Sequence, residues 1–161
     1  MNNGIKAFLC SMVEFAIFFM IFYLVTTGIH EWFHLTTLKM LGGEGYIIKD
    51  VWGVTGTVFI KEPSNPFLVC LAGGIGTGLL YLAIIILNWY DKIHRDFEEV
   101  AALVPFCICQ LVYGIFEGFF IGRISIPEFY TISGIIGPTT MTIGLIIGMI
   151  IMVKGLMDKG V

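Results

Sequence analysis

Residues 30–34 of this 161-residue chain read His-Glu-Trp-Phe-His, an H-E-x-x-H pattern. The surrounding apolar sequence predicts a helix, on which residues four apart lie about 40° around the axis and one turn apart. The imidazoles of His30 and His34 can therefore reach one metal ion. Glu31 lies beside them without having to bind the metal, which suits a general base acting on water that zinc has activated. The pattern predicts a zinc-dependent hydrolytic site.

The context of the motif favours a function over coincidence. By chance the pattern would occur in a chain of this length with a probability on the order of 0.5%. The chain has three histidines, and two of them are here. Ionisable side chains at membrane depth are costly, which favours a functional role for those found there. The alternative is a pair of hydrogen-bonded histidines at a helix end, without a metal. The third histidine, His94, lies in a charged segment typical of a solvated loop, and we do not predict it to bind metal.

A catalytic zinc site usually takes a third protein ligand and leaves one position open. In the third long apolar run of the chain, the strongly polar side chains are Gln110 and Glu117, seven residues apart and so on one helix face. Counting about 1.5 Å per residue places Glu117 and His30 towards the same membrane face. We therefore predict Glu117 as the third ligand, with Asp50 as the alternative.

The composition indicates that the elements carrying these residues are membrane helices. Hydrophobic residues make up 57% of the chain and charged residues 13%, and the mean hydropathy is +0.92. Soluble domains carry nearly twice that charge, and one of this length could not bury four long apolar runs. Only helices satisfy the backbone in a bilayer at these lengths. We predict an all-α, multi-pass (polytopic) integral membrane protein forming a single domain over 1–161, with four transmembrane helices at about 7–27, 67–87, 100–121 and 132–153.

The segment 42–66, between the first two helices, has a different character. Glycines at 42, 43 and 45 interrupt the helix, and residues 46–49 and 55–60 are rich in β-branched and aromatic side chains. This pattern predicts a small β-hairpin-like insert of two short strands with a turn near Trp52 and Gly53. Pro63 and Pro66 then end the second strand and lead into the next helix.

Charge and cysteine content exclude other functions. The net charge is −3 and no basic cluster is present, so we predict no nucleic-acid partner. The four cysteines show no C-x-x-C spacing and are expected to pack as small apolar residues. Lys and Arg residues are almost evenly divided between the two membrane sides, so their distribution does not decide the orientation, and the sequence does not identify the membrane.

The motifs together resemble those of the site-2 protease family of intramembrane zinc metalloproteases. The resemblance spans residues 8–121 and rests on three pieces in order. These are the H-E-x-x-H motif, a glycine motif at Ala72-Gly73-Gly74, and Glu117-Gly118 where the family has Asp-Gly. That family also places a small β element between the first two pieces. The fourth predicted helix matches none of its motifs.

The resemblance implies an enzyme that hydrolyses a peptide bond in or near a transmembrane segment of a substrate protein. It implies Zn²⁺ as cofactor, Glu31 as catalytic base, and His30, His34 and Glu117 as ligands. Gln110 takes the approximate place of a family Asn that hydrogen-bonds substrate. We expect Gly73 and Tyr113, which lies on the same helix face as Gln110, to contact substrate or the transition state.

Two other functions fit the same residues. A non-catalytic membrane subunit or chaperone could retain a zinc-protease scaffold, and it would cut no substrate. A metal transporter would need polar residues at successive depths, whereas this chain concentrates them at one level. The expected partners are the lipid bilayer and a membrane-protein or transmembrane-peptide substrate. The sequence predicts no separate soluble domain, so regulation would fall to the loops, the fourth helix, an oligomer or a partner protein.

Overall fold

The computed structural model describes residues 3–50, 53–90, 97–121 and 123–158, apart from the side chains at 3, 50 and 53–55. Its four helices are each long and apolar enough to cross a membrane, and a two-stranded antiparallel sheet lies between the first two. This confirms the predicted fold class. The elements in chain order are α1 (Asn3–Met40), β1 (Glu44–Asp50), β2 (Gly53–Lys61), α2 (Pro66–Tyr90), α3 (Phe97–Phe120) and α4 (Ile126–Asp158).

Helix α1 is longer than the predicted first span, since its 38 residues continue through the H-E-x-x-H motif without a break. It ends in a glycine cap. Gly42 takes a left-handed conformation with φ of 76°, and the amides of Gly42 and Gly43 donate to the carbonyls of Lys39 and Leu38. This arrangement satisfies the last carbonyls of the helix and turns the chain into β1.

Helix α3 is the central element and contacts each of the other helices. Its backbone approaches α2 most closely where Gly74 faces Gly114, since a Cβ on either residue would collide with the backbone of the other. On the opposite side, Gly144 of α4 packs against Pro105 of α3. Small residues thus set the spacing of these three helices, as is common where membrane helices pack.

The core lies where α1, α2 and α3 meet, at a cluster formed by Tyr81, Leu103, Phe106 and Cys107. The hydroxyl groups of Tyr81 and Thr26 lie 2.7 Å apart, which ties α2 to α1 within this apolar cluster. The outward faces of α1 and α4 carry large exposed apolar side chains along their whole length. Such faces suit contact with lipid.

The predicted insert forms one antiparallel hairpin, and both strands extend beyond their predicted bounds. Pairing runs from Glu44 opposite Lys61 to Asp50 opposite Gly53, with irregular register between Glu44 and Gly45 and between Ile48 and Lys49. Trp52, in the predicted turn, lies outside the described residues. Both strands contact α1, so the hairpin is held against the helix that carries the histidines.

Candidate metal centre

Three side chains from two helices converge at the hairpin end of the bundle. Nε2 of His30 lies 2.9 Å from Nε2 of His34, and Oε2 of Glu117 lies 3.3 Å from each of them. Ligands bound about 2.0–2.1 Å from a tetrahedral zinc ion are about 3.3 Å apart, so the contacts of Glu117 match this spacing and the imidazole pair is slightly closer. Among the described residues, His30, His34 and Glu117 form the one group of three or more His, Cys, Asp or Glu side chains whose ligand atoms are close enough to hold a metal ion.

Hydrogen bonds at the far side of each ring orient both imidazoles. Nδ1 of His34 lies 2.6 Å from the backbone carbonyl oxygen of Val69, and Nδ1 of His30 lies 2.7 Å from Oε1 of Gln110. Each Nδ1 faces an acceptor and therefore carries the proton, which leaves a lone pair on each Nε2. Such outer hydrogen bonds are typical of histidines that bind metals.

Glu117 completes a set of three side chains whose ligand atoms face one another. Its Oε2 is buried and, within the described part of the chain, has no hydrogen-bond partner. Two imidazole lone pairs and a carboxylate oxygen facing one another repel unless a positive ion lies between them. The residues therefore fit a divalent metal, and two nitrogens with one carboxylate oxygen form a donor set that zinc accepts.

Gly73 of α2 makes room for this arrangement. A Cβ at this position would lie closer than 3.0 Å to Nε2 of both His30 and His34. The glycine motif in α2 therefore has two roles, because Gly74 sets the helix spacing and Gly73 leaves the space beside the imidazoles open.

Glu31 lies beside the three converging side chains and is not one of them. It is 8% exposed, and its Oε2 accepts a hydrogen bond of 2.7 Å from the hydroxyl of Thr57 in β2. Together with His30, His34 and Glu117 it lines a cleft of about 530 Å³. The four residues predicted for metal binding and catalysis thus share one cavity. Residues of all four helices and of β2 line it, including Phe129 and Tyr130 of α4.

Gln110 and Tyr113 also lie at the cleft, with different contacts. Gln110 uses its amide oxygen on His30, a positioning contact that the sequence analysis did not predict. The ring of Tyr113 lies 5.9 Å from that of His30, measured between centroids.

Thr57 also lies at the cleft, and the sequence did not predict it. The signal that could have found it is the period of two along β2, which places Thr57 and Phe59 on one face, and both line the cleft.

The side chains of two residues considered from the sequence lie outside the described part of the chain. The side chain of Asp50, the alternative third ligand, is outside the described residues, as is His94. Exposed Glu14 lies in α1 sixteen residues before His30, about 24 Å along the helix. It therefore lies far from the candidate metal centre.

Comparisons with family models, curated proteins and solved structures find no match to this chain. The resemblance to the site-2 protease family therefore rests on the three sequence motifs.

Proposed function

We propose that this protein is an intramembrane zinc endopeptidase of the site-2 protease type, which hydrolyses a peptide bond in or near a transmembrane segment of a substrate protein. The observation that carries the proposal is the convergence of His30, His34 and Glu117 beside a buried Glu31 in one cleft. Three converging lone-pair donors favour a resident cation, and a carboxylate next to them favours hydrolysis over simple metal storage.

His30, His34 and Glu117 would hold the ion. Bound zinc supplies a Lewis acid that polarises a carbonyl group and lowers the pKa of a coordinated water. Val69 and Gln110 keep the two imidazoles in the tautomer that leaves both Nε2 atoms free as ligands.

Glu31 is the proposed general base. Its carboxylate takes a proton from the attacking water and returns it to the amine leaving group when the peptide bond breaks. The C–N bond breaks as the C–O bond to the water oxygen is retained, so one proton is moved twice and the base is regenerated. The immediate products are a carboxylic acid and an amine, and the acid then gives its proton to the amine, leaving a carboxylate and an ammonium group. Burial of Glu31 limits competing contacts with bulk water and keeps the carboxylate next to the cleft.

The depth of the cleft supports a substrate that lies in the membrane. Glu117 is three residues from the end of α3, Gly73 seven from the start of α2 and His30 ten from the end of α1. At about 1.5 Å per residue these side chains lie about 5–15 Å inside the helix ends on the hairpin side. A soluble loop reaches this depth with difficulty, whereas a transmembrane segment already lies there.

The hairpin supplies a means of holding an unwound substrate. A helical substrate hides its backbone groups, so it must become extended before a carbonyl can reach the ligands. Gly56, Thr57 and Phe59 of β2 line the cleft. A substrate segment added alongside one of the hairpin strands would satisfy its backbone hydrogen bonds while its scissile bond faces Glu31.

Tyr113 is the proposed donor to the substrate carbonyl, since its ring lies next to His30 at the cleft wall. A phenol hydroxyl aimed at a developing oxyanion stabilises the transition state more than the ground state. Gly73 contributes by leaving space beside the imidazoles for the scissile bond.

The test uses purified full-length protein reconstituted with a panel of labelled single-span membrane peptides. Zinc content is measured on the same samples by elemental analysis. Wild type should bind about one zinc per chain and cleave within or near the span of some peptides. Glu31→Gln should keep its zinc and lose cleavage by about 10²- to 10⁴-fold, and His34→Ala should lose both.

Glu14→Gln is the matched control, because it removes the charge of an exposed glutamate on the same helix α1. It should behave as wild type in both measurements. Full proteolysis by Glu31→Gln would contradict the assigned base. A wild type that binds zinc and cuts none of the peptides, with Glu31→Gln indistinguishable from it in any complex, would favour a non-catalytic scaffold.

A further inference from the structure

A hydrogen bond joins the hairpin to the proposed base. Oγ1 of Thr57 lies 2.7 Å from Oε2 of Glu31 and 3.3 Å from the backbone carbonyl oxygen of the same residue. The hydroxyl has a single proton, and the shorter contact to the charged acceptor receives it. In the described part of the chain, Thr57 is the side chain that hydrogen-bonds the Glu31 carboxylate.

Thr57 is well placed to fix that carboxylate. It lies in the middle of β2, paired with Ile47 of β1, so its backbone is held by the sheet. Both strands contact α1, and Thr57 faces the cleft next to Glu31. A glutamate side chain has several rotatable bonds, so a hydrogen bond from a rigid strand removes much of the freedom left to its carboxylate.

We infer that Thr57 is the positioning residue for the base: its hydroxyl holds Oε2 of Glu31 against β2 and leaves Oε1 to exchange the proton with water. This inference rests on the proposed function, in which Glu31 is the base. Strand β2 also lines the cleft. The hairpin that is proposed to hold the substrate therefore also orients the base. Thr57 itself contacts no reacting atom in this role.

The substitution Thr57→Val removes the hydroxyl and keeps the shape, whereas Thr57→Ser keeps the hydroxyl. With cleavage as the readout, Thr57→Val should lower kcat about 10- to 100-fold, as is typical when a group that orients a catalytic residue is removed. KM and zinc content should stay at wild-type values, and Thr57→Ser should restore most of the rate. Thr131→Val, the same chemical change at an exposed position on α4, should have no effect.

A second readout does not need activity. Thermal unfolding of wild type, Thr57→Val, Glu31→Ala and the double variant forms a double-mutant cycle. Thr57→Val should lower Tm by about 3 °C in the wild-type background and by much less where Glu31→Ala has already removed the acceptor.

The results of these experiments distinguish failure of the role inferred for Thr57 from failure of the proposed function. Absence of coupling in the unfolding cycle would overturn the role of Thr57 even if the protein is an active protease. Coupling with a wild-type kcat in Thr57→Val, or an equal loss of rate in Thr57→Ser, would also overturn it. A wild type without zinc and without cleavage would overturn the proposed function itself, and the positioning role with it.

Discussion

Helix α3 carries a glutamate near each end, and the surroundings of the two differ. Glu98, in the first turn, is 3% exposed and accepts a hydrogen bond of 2.5 Å from the hydroxyl of Ser11. Glu117, in the last turn, has a side chain that is 13% exposed, and its Oε2 faces two imidazole nitrogens. The first carboxylate meets a donor, whereas the second meets lone pairs.

The positions of Glu98 and Glu117 at opposite ends of α3 add a second electrostatic difference between them. Negative charge is favoured at a helix N-terminus, where backbone amides are free, and disfavoured at the C-terminus. Glu98 therefore lies at the favourable end of α3 and Glu117 at the unfavourable one. The comparison teaches that burial of a carboxylate does not by itself identify a site. The surroundings distinguish the two carboxylates, and the one whose neighbours are acceptors is the one at which a metal ion fits.

The largest expected difference between the two glutamates is in metal binding. Glu117→Gln should reduce zinc from about one ion per chain to a trace, because a ligand is lost and a neutral amide replaces the carboxylate. Glu98→Gln should retain the ion. The check is elemental analysis of both variants beside wild type, with and without added zinc.

Thermal unfolding gives a second measurement of the difference in zinc binding between Glu98→Gln and Glu117→Gln. Zinc at about 1,000 times its Kd should stabilise wild type and Glu98→Gln by about 4 kcal/mol, and Glu117→Gln by far less. Equal zinc content in the two variants would refute Glu117 as a ligand and would bring Asp50 forward as the alternative.

A smaller effect on zinc binding is expected from substituting the side-chain amides near the two ends of α3, those of Gln110 and Asn88. Gln110→Leu removes the acceptor that orients His30, so it should weaken zinc binding by about 10- to 100-fold. Asn88→Leu removes an amide that donates to Glu99 at the opposite end, and it should leave zinc affinity unchanged. Competition with a chelator of known affinity measures both. Equal zinc affinities would mean that Gln110 has no part in orienting the ring.

The smallest effect concerns stability at the Glu98 end. Ser11→Ala removes a hydroxyl donor from a buried carboxylate, which should lower the free energy of unfolding by about 1–2 kcal/mol. Zinc content should not change, since the candidate metal centre lies at the other end of α3. Chemical or thermal unfolding together with metal analysis tests this. Loss of zinc in Ser11→Ala would show that the two ends of the helix are coupled.

Several parts of the fold follow from local sequence. The four apolar runs predict four helices because the backbone of a membrane span must be satisfied within the segment. The glycines after residue 41 and the β-branched residues beyond them predict the hairpin, although its strands are longer than predicted. Helix α1 also extends past the predicted span, because the segment from His30 to Met40 stays helical and packs against α2, α3 and the hairpin.

The contacts in the candidate site also divide into those that follow from local sequence and those that depend on tertiary packing. Spacing along one helix places His30 and His34 together, because four residues make about one turn. No local pattern could establish that Oε2 of Glu117 lies 3.3 Å from both rings, since that distance depends on how closely α2 allows α1 and α3 to approach. Gln110 was predicted as a substrate contact, and its position on His30 became visible only when the two helices were packed.

The sequence by itself determined which elements form and which residues could do chemistry, because hydropathy, helical period and turn residues act over a few neighbouring positions. The tertiary structure alone decided which lone pairs meet. Glu117 has no hydrogen-bond partner at Oε2 among the described residues, and Thr57 holds Glu31, because contacts between distant segments depend on how the helices and the hairpin pack. The convergence of His30, His34 and Glu117 arises only from that packing, where charges and dipoles from separate elements come within a few ångströms.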